Sequence, residues 1–188
     1  MFRRLSLLSM VCLLAAASAA RATTVIPPTF DQLVAEAKTI FVGEVISQRA
    51  VMDNSSQGRS IHTIVTFRVE DVWKGSVGAV TQLEFLGGTV GDETMRVTGM
   101  PTFAVGQRSV LFVTGSAKSI SPLVGLSYGR LRVEGGTADG VDRVRTNDGR
   151  SLGALSELGT QRTPSLQSIT PMRLSDLAAA VRARQVAR

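Results

Sequence analysis

The chain of 188 residues has one cysteine, one histidine, one tryptophan and one tyrosine, and aromatic residues make up 5% of it. Each scarcity excludes something. The single cysteine, Cys12, lies in an apolar leader, so the rest of the chain has no thiol for a disulfide or a metal. The single histidine, His62, has neither a cysteine nor a second histidine with which to share a zinc ion. A serine hydrolase would need His62 as its base, and no serine stands in a recognisable nucleophile turn. Gly87-Gly88-Thr89-Val90-Gly91 lacks the Lys-Ser/Thr and the helix that complete a phosphate loop. Glu70 and Asp71 are neighbours on a strand and are expected on opposite faces, while Asp92-Glu93 reads as a solvated turn. Phe67, Trp73, Phe85 and Phe112 read as inward, which leaves Tyr128 as the candidate exposed ring and no platform for stacking bases. These residues point to a protein without enzymatic activity, without a cofactor and without nucleic acid as its partner.

What is present begins with a leader. Arg3 and Arg4, the apolar run Leu5 to Ala17 and the Ala20-Arg21-Ala22 triplet have the order of a secretory signal peptide over residues 1–22. The run is too short for a membrane span, so no transmembrane segment is expected. Cleavage after Ala19 or Ala20 and lipid attachment at Cys12 are the alternatives. The expected destination is the periplasm or the exterior, and the lack of disulfides there favours a bacterial source. Asn54-Ser55-Ser56 has the form of a glycosylation site and reads as a polar turn.

The formal charge of +6 falls to +3 once Arg3, Arg4 and Arg21 are removed with the leader. That surplus is uneven. Residues 143–188 carry eight arginines against Asp148, Glu157 and Asp176, whereas residues 23–142 are net acidic. Such a tail either contacts an anionic partner or is simply solvated.

The longest period-two pattern runs from Ser60 to Gly75. Ile61, Thr63, Val65, Phe67, Val69 and Trp73 fall on one side, and His62, Thr66, Arg68, Glu70 and Lys74 on the other, which makes a strand with one buried face. Asp71 and Val72 break the alternation and predict a bulge. Before this strand, the spacing gives an extended Thr23–Pro28 arm, a short helix over Thr29–Ala37 with a Thr29/Gln32 capping box, and a strand over Lys38–Ala50. After it come strands over Ala79–Leu86, Thr94–Thr98, Arg108–Thr114 and Leu123–Glu134, with Asp139–Arg145 extending a hairpin. Residues 146–170 read as a polar linker, and residues 171–188 as an amphipathic helix with Leu174, Leu177, Ala178 and Val181 on one face. The expectation is a mainly β fold. It is a five- to six-stranded OB-like Greek-key barrel over residues 23–145, with a short N-terminal helix and a C-terminal helix. A β-sandwich is the alternative.

The order of pieces carries a resemblance. The Val25-Ile26-Pro27-Pro28 arm, a short helix, the strand Ile40-Phe41-Val42-Gly43-Glu44-Val45 and a long strand ending in Val72-Trp73-Lys74-Gly75 resemble the N-terminal domain of the tissue inhibitors of metalloproteinases, in the netrin-like OB-fold group. Gly99-x-Pro101-x-Phe103-x-x-Gly106, followed by RSVLFV, is similar to exported bacterial proteins of unassigned function with that fold. The resemblance implies a protein partner, with a zinc metalloprotease as one form. Thr23 would offer its free α-amine and carbonyl to the protease zinc, Thr24 would enter the specificity pocket, and Val25 would follow as a contact. The family holds its arm with disulfides, and this chain has none to do so. Two other functions stay open: an envelope module that binds a protein or glycan through barrel loops and tail, and a structural domain with no site.

Overall fold

The computed structural model describes residues 26–55, 58–115, 120–136, 139–160 and 170–186. The fold is mainly β, with a short helix near its start and a second helix near the C-terminus. Helix α1, Phe30–Glu36, begins as its sequence requires. Thr29 accepts from the Gln32 amide at 3.3 Å, and the Gln32 side chain accepts from the Thr29 amide at 2.8 Å. Eight strands follow: β1 Thr39–Ser55, β2 Gly58–Lys74, β3 Val80–Leu86, β4 Gly88–Val90, β5 Glu93–Met95, β6 Arg108–Val113, β7 Arg130–Glu134 and β8 Arg143–Thr146. Helix α2 spans Leu174–Val186.

Six strands form one antiparallel sheet in the order β3-β2-β1-β6-β7-β8, and β4 pairs with β5 as a separate small ribbon. The sheet is not closed into the expected barrel. The second edge of β7 is taken by β8, so β3 and β8 are left as the two ends. The inner face that closure would seal is covered by the 97–107 segment, whose Phe103 ring meets Phe67 edge-on at 5.4 Å and Phe85 at 5.0 Å.

β6 and the first part of β1, Ile40 to Val45, are central and buried on both faces, which explains their largely apolar sequence. Ile40, Val42, Val110 and Phe112 face the helices and pack with Phe30, Leu33 and Val34 of α1 and Leu177, Ala178 and Val181 of α2. Phe41, Val45, Leu111 and Val113 face the other way, against Val65, Phe67, Phe85 and Leu123. Strand β2 departs from strict alternation. Val42 pairs with Asp71 and Gly43 with Val69, which leaves Glu70 as an extra residue in β2. The bulge reverses the parity beyond it, so Trp73, expected beside Phe67, joins the helix-side core instead. Lys74 then reaches the end of α1 and donates to the Val34 and Ala37 carbonyls, each at 2.6 Å.

The expected continuous strand Leu123–Glu134 is broken. Leu123 makes only an isolated bridge to Val113, a helical turn occupies Leu126–Gly129, and β7 starts at Arg130. The polar stretch after β8 lies against the sheet: Leu152 is fully buried in the helix-side core, and Leu155 and Leu158 pack on it. No helix among the described residues is long and apolar enough to cross a membrane.

Candidate functional site at the root of the N-terminal arm

Thr23, Thr24 and Val25 lie outside the described residues. The arm enters at Ile26, which is 83% exposed, and Pro27 immediately behind it is buried. Two glycines make this approach close. Gly125 has φ +60°, and a Cβ there would stand 3.0 Å from both Cδ and Cγ of Pro28. Gly159 has φ +86°, and a Cβ there would stand 2.8 Å from Thr29 Cγ2. A side chain at either glycine would meet the arm's root and would need a left-handed backbone conformation. The arm is therefore seated by packing between the turn after Leu123 and the segment after β8.

Beside the root is a cleft of about 180 Å³. Pro27, Pro28, Tyr128, Asn147, Arg150 and the buried Arg130 are among the residues that line it. Tyr128 is 38% exposed, so the one aromatic ring read from the sequence as outward does stand at the surface.

Arg130 is fully buried, and its side-chain partners among the described residues are neutral oxygens. Its Nε donates to Ser109 Oγ at 3.0 Å, Nη1 donates to the Thr102 carbonyl and to Asn147 Oδ1 (3.2 Å), and Nη2 donates to Gln107 Oε1 at 2.9 Å. The guanidinium lies 4.2 Å from the centre of the Phe103 ring. Burial, with a smaller contribution from neighbouring Arg132, pushes its pKa down to about 10, so it remains charged at neutral pH. At the cleft mouth Asp148 is held below the usual carboxylate range. Burial raises it, but the Thr146 hydroxyl and Arg150, whose Nε donates at 2.7 Å, outweigh that effect.

Two sequence expectations about polar residues are revised. His62 has partners: Nε2 is 2.9 Å from Ser60 Oγ, and Nδ1 is 2.9 Å from Glu84 Oε1. Ser60 and His62 are two apart and so share a strand face, and the β2–β3 register brings Glu84 diagonally to them. The connectivity is that of a serine nucleophile relay. Ser60 nonetheless lies in the β1–β2 ladder opposite Asp53 and borders neither the cleft at the arm root nor the groove beside Glu70 and Asp71. Glu70 and Asp71, expected on opposite faces, border one groove of about 550 Å³ because the bulge brings them round together. That groove is neutralised from within. Arg108 donates to Glu70 and, at 2.8 Å, to Asp142, and Arg182 lies 3.5 Å from Asp71. Hydrogen bonding to Glu70 and Asp142 raises the Arg108 pKa against the opposing effect of burial.

Among the described residues, the arginines of the basic C-terminal segment are also largely paired. Arg143, Arg145, Arg150, Arg182 and Arg184 face Asp139, Glu134, Asp148, Asp71 and Asp31 respectively. No group of three or more His, Cys, Asp or Glu residues suited to a metal ion occurs among the described residues.

Fold and site define a helix-flanked, open six-stranded antiparallel sheet with a packed N-terminal arm. No known protein family, curated protein or solved structure matches the chain.

Proposed function

We propose that this chain is a secreted or periplasmic, non-enzymatic binding domain of the cell envelope, which engages a protein or glycan partner through the surface around the arm root. The observation that carries this reading is the seating of Pro28 against Gly125 and of Thr29 against Gly159, which holds the arm's root below an 83% exposed Ile26. An exposed apolar residue on a rigid base loses little conformational entropy when it is covered. The paired state of Arg182 and Arg184 argues against the tail as the contact, since those charges already have partners.

The netrin-like, OB-like relationship is part of the proposal. What supports it is the strand order β6-β1-β2-β3: three successive strands, with a fourth returning by a long connection beside the first, make a Greek key. The test places a photo-crosslinker at Ile26 and, as a control, at the 63% exposed Val105. The expected result is an adduct with an envelope protein or glycan from Ile26, weakened by Tyr128→Ala and absent from Val105. Equal labelling from both positions would end the reading.

A second reading follows from the same rigid root: inhibition of a zinc metalloprotease through the Thr23 α-amine and carbonyl, with Thr24 in the specificity pocket. The arm's seating supplies the preorganisation that disulfides supply in the resembling family. Protein beginning at Thr23 should inhibit a zinc endopeptidase, and protein with one added N-terminal residue should not. Full protease activity with both forms would remove this version and leave the first intact.

A further inference from the structure

A second cleft, of about 470 Å³, opens between the β1–β2 ribbon, the end of β3, the β4–β5 ribbon and the 95–103 segment. Its base is apolar: Val65 and Phe85 are buried, and Met100 and Phe103 are packed against them. Three of the rim hydroxyls are already satisfied. Thr63 Oγ1 donates to the Gly87 carbonyl at 2.7 Å, and Thr89 and Thr94 bond to each other at 3.0 Å. The rim therefore makes little demand for a polar ligand. Arg96 is the one charged residue among the described residues that line the cleft, and it has no carboxylate partner among them. The volume falls in the range of small-molecule sites, and the two methionines, Met95 and Met100, let the walls adapt to a flexible chain.

We propose that this cleft binds a single-chain amphiphile with an anionic head, its tail along Val65, Phe85, Met100 and Phe103 and its head beside Arg96. Apolar burial supplies most of the affinity. The exposed arginine selects the sign of the head group and contributes modestly, as screened surface charges do. The site is separate from the arm root and does not depend on it.

The test is a titration of the full chain with decanoate, decanol and decyltrimethylammonium, all below their micelle concentrations, observed through the methionine methyl resonances. Decanoate should shift Met95 and Met100 saturably and leave Met172, in the helix-side core, unmoved. Arg96→Gln should weaken decanoate roughly fivefold and leave decanol unchanged, and decyltrimethylammonium should bind roughly fivefold more weakly than decanoate. An unmoved Met172 resonance in Arg96→Gln verifies that the variant is folded. Failure of decanoate to saturate, a shift of Met172 equal to that of Met100, or equal affinity for the cationic amphiphile would overturn the proposal.

Discussion

Arg130→Met asks how much of this fold depends on one buried guanidinium. The side chain gathers oxygens from four places: Ser109 on β6, Thr102 and Gln107 on the connection before it, and Asn147 beyond β8. Hydrogen bonds from a charged donor contribute about 1.5 kcal/mol each at the low end, so four amount to about 6 kcal/mol. Against this stands the cost of burial. A pKa pushed from 12.5 to about 10 corresponds to roughly 3 kcal/mol returned when the charge is removed. The net expected loss is about 3 kcal/mol, a large share of the roughly 5–15 kcal/mol that holds a domain together. Urea denaturation followed by circular dichroism measures the loss, and amide hydrogen exchange locates it. Exchange should accelerate over residues 97–107, which the arginine bolts to the sheet, and change least in α2. Arg130→Lys should do no better than methionine, because a buried ammonium keeps the charge and loses the planar fork. A loss below about 1 kcal/mol for Arg130→Met, or exchange that rises evenly over the whole chain, would refute the assignment of Arg130 as the bolt.

Three further outcomes are expected. Gly159→Ala should cost about 1–3 kcal/mol through its left-handed backbone and its clash with Thr29, and it should reduce crosslinking from Ile26; calorimetry and the adduct yield check the two parts. Leu177→Ala, at a fully buried position of α2, should cost about 2–5 kcal/mol in urea titration, since the helix is part of the core rather than an appendage. Asp148 has a depressed pKa, so its contribution to stability is present above the ordinary value of 3.8 and is lost as pH falls through the folded value. Asp148→Asn should therefore make the acid limb of stability against pH shallower below about 3.8, read from urea midpoints at successive pH values.

Much of the scaffold was legible because it depends on short-range rules. The Thr29/Gln32 capping box, the alternation of Ser60 to Phe67 and the apolar stripe of α2 each involve residues within a few positions of one another. The misplaced features depend on register. Trp73 changes faces because one extra residue at Glu70 reverses the parity; the break at Asp71 and Val72 signals a bulge, but the residue the partner strand skips is visible only in the pairing. The Ser60–His62 pair is visible in the sequence, but Glu84 reaches it only through the β2–β3 pairing. Arg130 carries no local mark either. It alternates with Leu131 as an outward residue would, and its partners lie up to 28 positions away. The arm's seat was hidden for the same reason, since Gly125 and Gly159 meet Pro28 and Thr29 from distant parts of the chain.

The ion pair between Asp31 and Arg184 joins positions 153 residues apart, and Gln185 donates to the Trp73 carbonyl across 112. These contacts bear on the order of assembly. The ribbon β1–β2 is local and can form as soon as it emerges, but the helix side of the sheet has its outer wall supplied by the last described element. Until α2 packs, Ile40, Val42 and Phe112 have on that side only α1 and the segment around Leu152. That wall is therefore complete only once α2 docks, and the docked helix ties Asp31 and the end of β2 at Trp73 to one surface.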